Sequence, residues 1–175
     1  MKTIFGIGLL VLVSGCSGNQ ENAELKSLLL QQLKNTHADK NWFVPINPSV
    51  EGLTVLQANW KDSTGNHSIG ELVSHLIFWN ERNLISFQGN TPPDFSGDNK
   101  ATFKTLNEKE WALSVKKIDS VQTLLERTVE KATEQEVREW SSTIVNICAH
   151  NAYHTGQIIY IRKQNGWWDD EKGVK

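Results

Sequence analysis

The chain has 175 residues, with 18 basic and 20 acidic side chains and a formal net charge of −2. That length fits one domain with a real core and excludes two ordinary domains. The near balance of charge excludes the basic footprint of a nucleic-acid binder. The two cysteines, Cys16 and Cys148, are too few and too differently placed to read as a disulfide framework.

The first fifteen residues stand apart. Lys2 is a short positive region, and Ile4 to Val13 is an apolar run of signal-peptide length, too short to anchor in a bilayer. It ends in Val13-Ser14-Gly15-Cys16, which resembles the bacterial lipoprotein signal. In that signal, small residues precede a cysteine that takes the lipid and becomes the new N-terminus. Cys16 is therefore the expected lipidation site; the alternative is an ordinary signal peptide with a coincidental cysteine. The expected organisation is a lipoprotein signal peptide over 1–15, a polar tether over 16–23, a helical domain over 24–168 and a polar tail over 169–175. Lipidation would place the domain in the bacterial cell envelope, outside the cytoplasm and membrane-anchored. Loss of Lys2 with the signal leaves 17 basic against 20 acidic side chains.

A first helix is expected from about Asn22, with Leu25, Leu28, Leu29, Leu33 and Thr36 forming one apolar stripe. It ends before Pro45, and His37 near its end reads as a solvated histidine that suits the helix dipole. Residues 45–66 read as an irregular link with a helical turn near Leu53 to Trp60. Ser68-Ile69-Gly70-Glu71 is a capping box opening a second helix, which Gly89 closes after Gln88. His75 lies within its apolar stripe, between Leu72 and Trp79, whereas His67 reads as an exposed loop residue. Residues 90–106 form a loop long enough to cover something.

A third helix starts from Asn107 as cap, with Glu110 three residues on and Trp111, Val115, Ile118, Leu125 and Val129 facing the core. Ala132 to Arg138 reads as a turn, and a fourth helix begins near Ser141 or Ser142. Its inward face carries Ile147, His150, His154, Gln157, Ile158 and Ile161, while Cys148 points the other way as a buried thiol. Gly156 inside this helix costs about 1 kcal/mol against alanine, so close approach of another backbone or of a ligand is expected there. Asn165-Gly166 ends the helix, Trp167-Trp168 should fold back, and the acidic tail should be solvated. Four amphipathic segments without two-residue alternation predict an all-α four-helix bundle.

His150 and His154 stand four apart, so their Cβ atoms lie about 5–6 Å apart on one helix face. Such a pair is either incidental or two thirds of a metal site. His75 on a separate inward face offers the third imidazole; the alternative is a core histidine bonded to a carbonyl or side chain. Three neutral imidazoles leave one tetrahedral position open for water or substrate, as in catalytic zinc sites; nickel or iron is also compatible. Glu71 could orient a water but is accounted for by its cap, while Tyr153 and Gln157 flank the pair and could meet a substrate.

The segments Ser-Ile-Gly-Glu-Leu-Val-Ser-His75-Leu and His150-Asn-Ala-Tyr-His154-Thr-Gly-Gln-Ile resemble the DinB-like superfamily, which includes the YfiT-like metal-dependent hydrolases. The resemblance spans residue 24 to Trp168. It implies an up-down-down-up four-helix bundle holding a divalent metal, zinc or nickel, on His75, His150 and His154. It also implies a small-molecule substrate and common homodimers. Some relatives transfer or isomerise substrates with a low-molecular-weight thiol. An extracytoplasmic chain departs from that setting, where cytoplasmic thiols are scarce. Three functions follow as expectations: a metal-dependent hydrolase, a non-catalytic membrane-tethered metal-binding module, or a thiol-dependent S-transferase.

Overall fold

The computed structural model describes residues 17–173, with side chains from residue 23 onward. Among the described residues six α-helices run in order: α1 (Ser17–His37), α2 (Ile46–Val50), α3 (Val55–Ala58), α4 (Ile69–Phe87), α5 (Glu108–Lys131) and α6 (Glu134–Gln164). Short 3-10 turns lie at Asn99–Thr102 and Asp170–Lys172. No strand occurs among the described residues. The segment expected as a signal peptide and Cys16 lie outside them.

The four long helices form the bundle. α1 and α4 each pack against both α5 and α6. Side-chain contacts fix the directions. Lys26 in the middle of α1 donates to the Ala132 carbonyl beyond the end of α5, while His37 at the C-terminal end of α1 meets Asp119 and Glu126. α1 and α5 are therefore antiparallel. Asn80 donates to Asn151, and Phe87 stacks on Trp140, so α4 runs against α6. Lys117 pairs with Glu81, and the lower ends of α4 and α5 share Leu84, Phe87, Leu125 and Val129, so these two run together. The result is the up-down-down-up order.

Local sequence explains most boundaries. Ser68/Glu71 and Asn107/Glu110 form the reciprocal capping boxes read from the sequence, which satisfy the first free N–H groups of α4 and α5. Gly89 and Gly166 follow α4 and α6 with φ of 75° and 70°, conformations in which a Cβ would be strained. Trp167 folds back edge-on against Trp60, and the Trp168 ring lies over the Arg162 guanidinium.

Several expectations are corrected. α6 starts at Glu134, not near Ser141, because Thr133 and Glu136 form a further capping box within the stretch read as a turn. α1 begins at Ser17 among the described residues and takes in residues 17–23 of the segment expected as a tether. The link over 45–66 contains α2 as well as α3, the latter capped by Thr54 and Gln57. Leu28 is 58% exposed and off the buried stripe. His37 is buried rather than solvated, bonded through Nδ1 to Glu126 (2.7 Å) and through Nε2 to Asp119 (3.0 Å). The tail is not wholly free in solvent: Lys172 pairs with Glu51 at 2.7 Å. Around Gly156 no neighbour lies within 4 Å of where a Cβ would stand, so no backbone approaches there.

Candidate metal centre

α4 delivers His75 and α6 delivers His150 and His154 to one point. The Nε2 atom of His150 lies 3.0 Å from Nε2 of His75 and 3.0 Å from Nε2 of His154. Among the described residues these three form the one group of His, Cys, Asp or Glu side chains whose ligand atoms converge, all within 4.8 Å. His75 and His154 are buried, and His150 is half-buried. The antiparallel packing of α4 on α6 makes the convergence, and one helical turn separates the two histidines on α6.

The outer ring nitrogens decide what the inner ones can do. The Thr102 hydroxyl donates to the Asn99 carbonyl (2.6 Å), so it accepts from His75 Nδ1, also 2.6 Å away. Gln157 Oε1 accepts from His154 Nδ1 at 2.6 Å. Each of these rings thus carries its proton on Nδ1 and points an Nε2 lone pair inward. His150 Nε2 holds at most one proton in its neutral form and can donate to only one of its two neighbours. At least one lone pair therefore faces another nitrogen 3.0 Å away with no hydrogen between them. A cation at the centre would satisfy all three lone pairs together, so the residues present fit a divalent metal.

Protonation does not relieve the crowding at neutral pH. Burial, with the neighbouring His150 and His154 imidazoles adding to it, lowers the His75 pKa to about 4. Burial and His154 lower that of His150 to about 4. Burial also lowers His154, against the opposing hydrogen bond to Gln157. Neutral imidazole is the form that ligates.

Aromatic packing holds the cluster. Phe103 stacks on His75 with ring centroids 4.1 Å apart, and His67 stacks on the other face of Phe103 at 3.6 Å. Trp79 meets His75 edge-on. A cleft of about 370 Å³ opens onto His75 and His150 and is otherwise walled by Trp79, Asn80, Asn83, Asn99, Thr143, Asn146 and Ile147. A larger cavity, about 570 Å³, touches none of the three histidines.

The sequence placed His75, His150 and His154 correctly on their inward faces, and the structure brings them together. Gln157 orients His154, and the exposed Tyr153 ring meets His154 edge-on. Glu71 is committed elsewhere: Oε1 accepts from Lys61, and Oε2 accepts from the Ser68 backbone N–H and lies 3.2 Å from His67 Nδ1. Burial would raise its pKa, but the bonds from Lys61, Ser68 and His67 outweigh that and lower it. It acts as a cap and not as a water-orienting base. His67 is exposed as expected, although stacked. Thr102 and Phe103 were missed; they come from the long loop, where nothing in their own sequence marks them. Cys148 is a buried thiol packed with Leu29 and Leu33, its pKa pushed up by burial to about 12, so it offers no ligand here.

The fold and this cluster define an all-α protein with a three-histidine centre between two antiparallel helices. The DinB superfamily model matches residues 46–158, more than half of the chain, and the chain belongs to that superfamily. It matches no curated protein and no solved structure.

Proposed function

We propose that the protein is a divalent-metal-dependent hydrolase of a small molecule, with zinc held by His75, His150 and His154 and nickel or iron(II) as other compatible ions. The observation that carries this reading is the meeting of three Nε2 atoms, two of them with lone pairs fixed inward by Thr102 and Gln157. A bound ion of this kind supplies Lewis acidity and lowers the pKa of water at the open position towards ~7.

The chain's own groups do the rest. Thr102 and Gln157 hold two imidazoles in the ligating tautomer. Trp79 forms an apolar wall of the cleft, its indole N–H tied to Asn99 at 3.2 Å. Asn146 and Thr143 stand one and two turns before His150 on the same face of α6, where they can hydrogen-bond a polar, uncharged substrate group.

One observation favours a second reading. Apart from the two histidines, the residues lining this cleft include no carboxylate or other proton-transfer base. That suits a non-catalytic module in which the ion is sequestered or ties α4 to α6. The sequence around Cys16 supports placing either version on the outer side of a bacterial membrane through a lipid.

Metal analysis of the purified protein tests the centre. About one divalent ion per chain is expected, with His150→Ala losing most of it. Full occupancy in a His75/His150/His154 triple alanine variant would sink the site. A turnover screen with esters, amides and phosphoesters, before and after chelation, separates hydrolase from module. Cys16→Ala should move the protein from the membrane fraction to the soluble one, and no change would count against the anchor.

A further inference from the structure

The larger cavity has no role in the reading above. It lies on the outer side of α6, between that helix and the link that carries Trp60, and its volume of about 570 Å³ is in the range of small-molecule sites. Tyr153 and Tyr160 stand seven residues apart on α6, 65% and 68% exposed, large apolar rings that the fold leaves uncovered. Gly156 sits between them on the cavity wall, and a Cβ there would meet nothing within 4 Å. A glycine in mid-helix that no packing demands lowers helix stability and keeps this space open. Opposite, the edge contact with Trp167 fixes the Trp60 ring in place.

The charged side chains around the cavity already have partners within the chain. Lys61 is paired with Glu71 at 2.8 Å. Asp62 accepts from the backbone and hydroxyl of Thr64 and from Asn66. Asp62 keeps its negative charge with its oxygens taken by these donors, and the uncommitted polar groups are neutral amides. Gln157 is one: its Oε1 is taken by His154, while its Nε2 is free to donate. Flat aromatic walls, an apolar floor at Leu72 and Ile161, and neutral hydrogen-bonding edges match a ring with apolar faces and a polar rim.

We propose that this cavity is a binding site for an uncharged ring compound with hydrogen-bonding groups around its edge, either a neutral saccharide or a nucleoside. Gln157 belongs to both places, so a guest that bonds its Nε2 also touches the group that orients His154. The assignment itself does not require a metal on the triad.

Titration of the purified protein with cellobiose, with N,N′-diacetylchitobiose and with uridine, followed by calorimetry and tryptophan fluorescence, tests this and distinguishes the sources. One arm should saturate at millimolar concentration or below, with a change in emission from Trp60. Gly156→Leu should weaken that binding by about tenfold or more, with helical content and Tm equal to or above those of the wild type, because the site is open and the helix gains a better former. Trp60→Ala should abolish the fluorescence response. The proposal is overturned if none of the three probes saturates, or if Gly156→Leu binds as the wild type does. Binding that vanishes on chelation would place the probe at the triad and would also overturn it. Binding that survives chelation supports it even if metal analysis fails the hydrolase reading.

Discussion

The Thr102 hydroxyl does for His75 what the Gln157 amide does for His154: it accepts a hydrogen bond from Nδ1–H and so leaves the Nε2 lone pair facing inward. Partners of this kind typically change metal affinity by ~10–100-fold when removed. Thr102→Val keeps the shape and loses the acceptor, so His75 is free to place its proton on Nε2. A fall in metal affinity within that range is expected, measured by competition with a chromophoric chelator, with unchanged helical content. Wild-type affinity in this variant would show that packing against Phe103 orients the ring without help. The sequence pointed to these three histidines because each lies on an apolar helical face, where an imidazole is out of place. It could not show Thr102, whose role exists only because a 3-10 turn brings residue 102 against residue 75.

At the level of helices, capping chemistry was the most readable signal, since a cap and its reciprocal partner are three residues apart. Ser68 and Asn107 were legible for that reason. Thr133 with Glu136 carries the same pattern but is masked in the sequence, because the surrounding stretch is polar and Val137 is its one deeply buried apolar residue before Ile144. The docking of α1 was not legible, because His37 finds Asp119 and Glu126 on α5, 82 and 89 residues away. Burial lowers the His37 pKa, but its bonds to Glu126 and Asp119 outweigh this and raise it above 6.5. Asp119 is lowered below 3.8, chiefly by Asn47, with burial opposing and His37 adding. The His37 contribution to stability is therefore complete below 6.5 and fades as pH rises through its raised folded value. The Asp119 contribution is present above 3.8 and fades as pH falls through its lowered one. Wild type should exceed His37→Gln in Tm by more at about pH 5 than at about pH 9. A difference that is flat across this range would mean that the cluster acts through neutral hydrogen bonds alone.

Across the whole molecule, the three histidines bring together two helices that are separated in the chain by the 90–106 loop and α5. Between α4 and α6 the packing is continued inward from the cleft by amides: Asn80 donates to Asn151, and Asn151 donates to Gln122. The Nε2 group of that buried glutamine has no protein partner, so this seam is not fully satisfied by itself. Helix count and connectivity could be inferred from periodicity and resemblance. The meeting of the three histidines across this seam could not, because it rests on how two faces far apart in sequence come together. An ion that binds the folded chain and not the unfolded one adds ~2.7 kcal/mol at a hundred times its Kd. For a chain of this size each kcal/mol moves Tm by ~2–4 °C. Chelation should therefore lower Tm by several degrees, and returning zinc should restore it. The double variant His75→Ala/His150→Ala should melt at one temperature with or without the ion. If the wild type loses its metal without any change in Tm, the ion adds no net stability to the folded chain, and the centre must be explained by chemistry alone.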